Sequence, residues 1–202
     1  MEFNPDDLDQ KTIYKLLSGA VIPRPIGWIS TISEDGLPNL APFSFFNIVG
    51  EDPPHVMFST AHSNEYKKDT LRNTLETKQF VVNMVTEELV EKMHITGQNV
   101  PHDVNEFELA NVTPVASSKV KPPRVKESPI AFECELVHHY TLEKHKSGGA
   151  TIVIGRIIAF HFDEEVLSED YKINLEKYKP VAKSVGFQYA KLGENFEIKK
   201  GW

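Results

Sequence analysis

Short runs in which apolar and polar residues alternate cover much of this chain, and two longer runs dominate its second half. Strand patterning marks residues 26–32, 40–47, 55–60 and 80–84, then 130–142 and 151–163, since side chains on a strand change face at every residue. The last two runs meet across Lys146-Ser147-Gly148-Gly149, a hairpin signal. Helical spacing is clearest over 69–78 and 87–96, with shorter stretches near 4–18, 164–168 and 173–178. Residues 98–105 and 120–128 read as loops, the second because of Pro122, Pro123 and the nearby Pro129. Many strands, few short helices and hairpin-style connections predict a mainly β fold, an antiparallel barrel or sandwich with peripheral helices. Regular strand–helix alternation is missing, which disfavours a doubly wound parallel sheet. With no linker in sight, residues 1–202 read as a single domain.

The two long runs differ. In 130–142 one face carries Ile130, Phe132, Cys134, Leu136, His138, Tyr140 and Leu142, while Glu133, Glu135, His139 and Thr141 make the other face wet. In 151–163 both faces are apolar, with Ile152, Ile154, Ile158 and Phe160 on one and Val153, Ile157 and Ala159 on the other. Such a strand is covered on its second side either by the barrel interior or by another subunit.

Composition narrows the function. A net charge of −7 over 202 residues argues against a nucleic-acid or anionic membrane surface. No run approaches the ~18 apolar residues of a membrane span, and the acidic start MEFNPDDLDQ lacks a signal-peptide pattern, so a cytoplasmic location is expected. Cys134 is the single cysteine and falls on the apolar face of its run, which suits an inert buried thiol better than a nucleophile. The eight histidines form no metal-binding spacing, and no nucleophile elbow, Walker loop or dinucleotide fingerprint is present. Covalent and zinc chemistry are disfavoured, and no catalytic acid or base is assigned.

Two segments suggest a ligand instead. RPIGWISTISEDGLPNLAPFSFFN, residues 24–47, starts as a strand, turns at Glu34-Asp35-Gly36, and returns with Pro42 inside an aromatic run. Proline has no N–H to donate, so this limb is an edge strand or loses its pairing there. Backbone groups freed by an interruption suit a planar heteroaromatic, with Phe43, Phe45 and Phe46 as apolar walls and Ser44 and Asn47 as polar partners. An edge strand with a bulge explains the same residues without any ligand. The second segment, SNEYKKDTLRN at 63–73, sets Asp69 as the N-cap of a helix, with Thr70, Arg72, Lys67 and Lys68 close by. That arrangement suits a phosphate, although plain capping beside a solvated charge run accounts for it as well.

Together with DPPHVMFST, KKDTLRNTLETKQFVVNMV, EFELANVTPVASSKVKPPRVKESPIAFECEL and TIVIGRIIAFHFDEEVL, the opening segment resembles the flavin reductase-like family with the FMN-binding split β-barrel, its flavoredoxin-type branch above all. The resemblance runs in order from about Ile22 to Tyr189. It implies a six-stranded, Greek-key-like split barrel that homodimerises and binds FMN near the subunit interface. It further implies phosphate or ribityl surroundings at Arg24 and Thr31, a ring-facing segment at Ala41, Pro42, Phe43, Ser44 and Asn47, and a phosphate side at Ser63, Lys68, Asp69 and Thr70. The activity implied is an NAD(P)H-dependent flavin reductase that passes electrons to free flavin, a metal complex or a protein. A non-enzymatic FMN electron carrier and a flavin-free split-barrel binding protein are the alternatives. The tail AKSVGFQYAKL departs from the family pattern: Lys183 stands for an arginine and Val185 for a glycine, whereas Gly186 and Tyr189 remain.

Overall fold

The first hairpin forms where the sequence predicts it. After α1 (Gln10–Ala20), β1 (Gly27–Ile32) turns into β2 (Pro38–Phe43). Gly36 takes a φ of +87°, a conformation that side chains resist. Ser33 holds the turn, donating its N–H to Leu37 O while its Oγ accepts from Leu37 N. The structure is a computed structural model and describes residues 1–61, 68–142 and 149–198. The remaining elements are β3 (Phe46–Glu51), β4 (Pro54–Ala61), α2 (Asp69–Thr77), β5 (Gln79–Met84), α3 (Val90–Ile95) and α4 (Glu106–Leu109). They continue through β6 (Pro114–Val115), β7 (Arg124–Val125), β8 (Ile130–Leu142), β9 (Ala150–Phe162), α5 (Leu175–Tyr178), β10 (Val181–Lys183) and β11 (Tyr189–Lys191). Residues 164–168, expected to be helical, form turns, with Leu167 bridging Ile173. The Lys146–Gly149 turn signal falls largely outside the described residues, but the strands flanking it pair antiparallel as predicted.

Seven strands make one antiparallel sheet in the order β2-β1-β5-β8-β9-β4-β3. There are seven strands rather than six because the run 40–47 divides at Ser44-Phe45 into β2 and β3. These two lie at opposite edges of the sheet yet are joined by only two residues, so the sheet must curl until its edges meet. No ladder joins β2 to β3 among the described residues; Ser59 N donates to Phe45 O (2.8 Å), which only extends the β3–β4 pairing by one residue to the break. The barrel is closed by the chain and split in its hydrogen bonding.

Inside it, Ile29, Phe43, Phe46, Phe58, Phe80 and Val153 belong to one apolar core. Phe43 and Phe58 rings lie 5.0 Å apart and Phe58 meets Phe80 edge-on at 5.3 Å. Two glycines make room for these rings. A Cβ on Gly27 would sit 2.7 Å from Phe46 Cδ2, and one on Gly155 would collide with the ring of Phe80. A second core, with Trp28, Leu40, Met93 and Phe107, lies between β1–β2 and α3–α4. There the Trp28 indole N–H donates to Thr96 Oγ1 (2.9 Å).

β8 corrects the expected wet face. Glu133 is fully buried although it keeps the face that alternation gives it, because the loop through Ser118–Val120 covers that face, with Val120 packed beside Val81 and Ala131. The loop over it donates three backbone N–H groups to the carboxylate, from Ser118 (2.7 Å), Lys119 (2.6 Å) and Val120 (3.1 Å). Ser118 Oγ (3.0 Å) and His161 Nε2 (2.5 Å) complete the set. Despite the opposing effect of burial, these bonds hold the Glu133 carboxyl at about 2. β9 buries only one face within the chain: Val153 and Ile157 point inward, Ile152 and Ile154 are half-buried, and Phe160 is exposed.

Candidate functional site

Pro42 occupies an edge strand without breaking its pairing. It stands opposite Trp28 in an unbroken register that runs through Gly27↔Phe43. Leu40 N donates outward, to the Glu106 carboxylate (3.2 Å), so alternation turns positions 38, 40 and 42 away from β1. Two of those three are prolines and the third is capped by Glu106. The free edge of β2 therefore presents no unpaired donor, which corrects the expectation that Pro42 itself frees backbone groups. Burial raises the pKa of Glu106, and the Asp69 charge adds to the rise. The real interruption comes at Ser44-Phe45. Of the three aromatic walls, Phe43 and Phe46 belong to the barrel core and only Phe45 is exposed.

The start of α2 also differs from the expectation. Lys68 is the N-cap and makes no side-chain capping bond, while Asp69 is the first helical residue and pairs with Arg72 (2.6 Å). The first turn of the helix thus carries no side-chain acceptor of its own at the cap. Beneath it lies a buried polar cluster that sequence reasoning did not find. Asn39 Nδ2 donates to Thr31 Oγ1 (3.2 Å) and Thr70 Oγ1 (2.9 Å), and Asn73 Nδ2 donates to Thr31 Oγ1 (3.2 Å). Asn73 Oδ1 is buried and has no partner among the described residues. Asn39 and Asn73 carry no motif; only the pairing of Asn39 with Thr31 across the hairpin, and the spacing of 70 and 73 on one helix face, hinted at them.

The ring-facing and phosphate-facing segments meet. Lys68 Nζ lies 5.9 Å from the centre of the Phe43 ring, one residue before the strand break. Ala41 pairs with Ile29 and is half-buried against the barrel core. Asn47, opposite Met57 in β3, lies just beyond the break, and its Oδ1 accepts from the N–H of Ile48 (2.8 Å). Ser63 and Lys67 fall outside the described residues.

Arg24 is 5 % exposed. Its guanidinium donates to Ser18 O and Val21 O (both 2.5 Å) at the end of α1, to Ser184 O (3.1 Å) and to Ser44 Oγ (3.5 Å). The tail hairpin β10–β11 is built around Lys183, whose Nζ donates to Gly186 O and to Gln188 O (3.1 Å) beneath the Tyr189 ring. Burial, then the charge of Arg24, lowers the Lys183 pKa. Tyr189 Oη meets His94 Nδ1 at 3.0 Å, joining the hairpin to α3. Cys134 is fully buried, and burial pushes its thiol up, so it offers no nucleophile.

The flavin reductase like domain family matches residues 18–181, and the chain belongs to it. An uncharacterized protein of Aquifex aeolicus is 46% identical over 201 residues, covering 98% of this chain and 100% of that one. Among solved structures, nitrilotriacetate monooxygenase component B from Bacillus cereus superposes with a TM-score of 0.94 at 37% identity, over 98% of each chain. The 2-nitrobenzoate 2-nitroreductase NbaA of Pseudomonas fluorescens gives 0.86 at 32%, over 98% of this chain and 95% of that one.

Proposed function

We propose that this protein is an FMN-dependent oxidoreductase in which a reduced nicotinamide reduces the flavin, and the flavin passes electrons to free flavin, a metal complex or a protein. The observation that carries the reading is the approach of Lys68 to Phe43, because it unites a candidate ring seat and a candidate phosphate site that the sequence keeps apart. Family membership supports a flavin. The names of the two solved neighbours, a monooxygenase component and a nitroreductase, support redox chemistry.

The residues fit the group. The uncapped first turn of α2 offers backbone N–H groups and the positive end of a helix to a phosphate, with Lys68 as the counter-charge and Asp69 and Thr70 around it. The Thr31–Asn39–Thr70–Asn73 cluster holds that turn against the hairpin, and Asn73 Oδ1, without a partner among the described residues, marks polar capacity beyond what they use. Ala41 to Asn47 supply the ring seat, where the strand break releases backbone donors and Ser44 adds a hydroxyl. A bound flavin supplies hydride and electron transfer. The chain orients it, shields it from water with Phe45, and directs fixed dipoles at charge that develops on the ring.

Exposed apolar surface on α1 (Tyr14, Leu16, Leu17), β3 (Ile48, Val49) and the outer part of β8 (Tyr140) supports a homodimer. A second reading, an FMN electron carrier without its own nicotinamide site, draws on Lys183: its ammonium is turned onto carbonyls of its own hairpin and is not offered to a ligand.

An absorbance spectrum of the purified protein before and after NADH or NADPH tests the proposal. Yellow colour that bleaches with either is expected; bleaching only by a chemical reductant supports the carrier. A colourless protein that takes up no FMN overturns both. Lys68→Glu is expected to weaken FMN binding by roughly tenfold or more, because a charge-assisted hydrogen bond to the phosphate gives way to repulsion between two anions. Unchanged affinity on titration would misplace the phosphate.

A further inference from the structure

We infer that Arg24 is a positioning residue and not a phosphate ligand: it fastens the end of α1 and the C-terminal hairpin to the ring seat at Ser44. The inference rests on the reading of Ser44–Asn47 as a flavin seat, and it gives the tail a place in that site.

The donor count of the guanidinium carries it. An arginine has five N–H donors in a fixed fork, and four are engaged by Ser18 O, Val21 O, Ser184 O and Ser44 Oγ. Bidentate phosphate binding needs two free donors on one edge, and one remains. The charge already has a favourable partner, since the Ser18 and Val21 carbonyls belong to the negative end of α1. No carboxylate pairs with Arg24 among the described residues. Its main chain is engaged as well: Arg24 N donates to Lys183 O (3.0 Å) and Lys183 N donates to Arg24 O (2.8 Å), a two-bond bridge to the hairpin.

Three segments distant in sequence therefore converge on one buried side chain. The consequence for the site lies at Ser44. With its Oγ accepting from Arg24 Nε (3.5 Å), the Ser44 hydroxyl keeps its own proton to donate to another partner. The hairpin, locked by Arg24 at one end and by Tyr189–His94 at the other, forms a fixed wall beside the seat. The end of α3 completes this wall. A Cβ on Gly97, just past that helix, would stand 3.2 Å from Pro42 Cγ, so the same helix touches both hairpin and edge strand.

Arg24→Gln separates the two roles. Hydrogen exchange on flavin-free protein is expected to quicken by about tenfold in residues 181–191, the mark of a local opening, while β5 stays protected as a check on the fold. Dissociation constants for FMN and for riboflavin, which lacks the phosphate, are expected to rise together. Their ratio stays within about twofold of wild type because the phosphate keeps all its partners. A ratio that collapses toward one makes Arg24 a phosphate ligand and overturns the inference. So does a hairpin whose exchange is unchanged. Should Arg24→Gln fail to fold, Arg24→Lys keeps the charge but loses the fork; fast hairpin exchange with an unchanged ratio is again expected, and a fully protected hairpin overturns the inference. If wild type binds neither flavin, the reading of the site fails, while the exchange comparison still decides what Arg24 holds.

Discussion

Glu133 shows how far a single residue can depart from its place in a pattern. On a strand with ideal alternation it belongs to the wet side, and charged side chains are seldom fully buried. Here three backbone N–H groups, a hydroxyl and a histidine surround it, so the carboxylate serves as an anchor for the loop above. Glu133→Ala leaves three N–H groups without their acceptor, that of Val120 buried and those of Ser118 and Lys119 within reach of water, and is expected to cost roughly 1–3 kcal/mol; urea denaturation measures it. The pH dependence has a definite sign. Glu133 titrates near 2 when folded, below the 4.5 of a free glutamate, so the folded state favours the ionised form. That stabilisation is complete above about pH 4.5 and is lost as pH falls from there toward 2. Wild type is expected to lose stability through this window, and Glu133→Gln to lose less; equal slopes of unfolding free energy against pH would sink the assignment. None of this was legible in the sequence, because the residues that satisfy Glu133 come from a loop whose place over the strand no local pattern records.

The edge strand β2 shows what an element's sequence can and cannot say. Pro42 announces an edge or a break, and the structure selects the edge, since its missing N–H falls at an outward position. A second proline, Pro38, and the carboxylate of Glu106 deal with the remaining outward positions. Glu106→Gln keeps an acceptor for Leu40 N and is expected to be nearly neutral. Glu106→Leu removes it and is expected to cost roughly 1–3 kcal/mol, the penalty of an unsatisfied buried donor, and to expose a pairing edge. Thermal melts and turbidity on heating check both variants; a Glu106→Leu protein as stable as wild type would show that the cap is idle. The sequence places the start of α2 within a residue of its observed position but assigns the cap to the wrong side chain. Asp69 finds Arg72 on its own helix, and that local ion pair draws its side chain from the capping position.

At the scale of the molecule, surface that is apolar without cover within the chain calls for a second copy. α1 buries only Ser18, and its exposed residues Tyr14, Leu16 and Leu17 lie along much of one side, with Tyr14 and Leu17 three positions apart. Tyr140 is 59 % exposed and pairs with the half-buried Ile152, whose strand was expected to be covered on both faces. Sedimentation at micromolar concentration is expected to give a dimer for wild type and a shift toward monomer for Tyr140→Glu. A monomeric wild type would reject the dimer, and a fully dimeric Tyr140→Glu would move the interface elsewhere. Among the described residues no helix is long and apolar enough to cross a membrane.

By itself, the sequence determined the main strand runs, the hairpins that join them, the turn at Gly36 and the inert Cys134. Each of these follows from periodicity or from a glycine that takes positive φ at little cost, and all are properties of a few adjacent residues. The tertiary structure alone decided the break at Ser44-Phe45, the burial of Glu133, the Thr31–Asn39–Thr70–Asn73 cluster and the partners of Arg24. Those depend on where distant segments arrive: the Arg24 bond to Ser184 spans 160 residues. No local pattern records which carbonyl a guanidinium will meet once the sheet has curled until its two edges stand side by side.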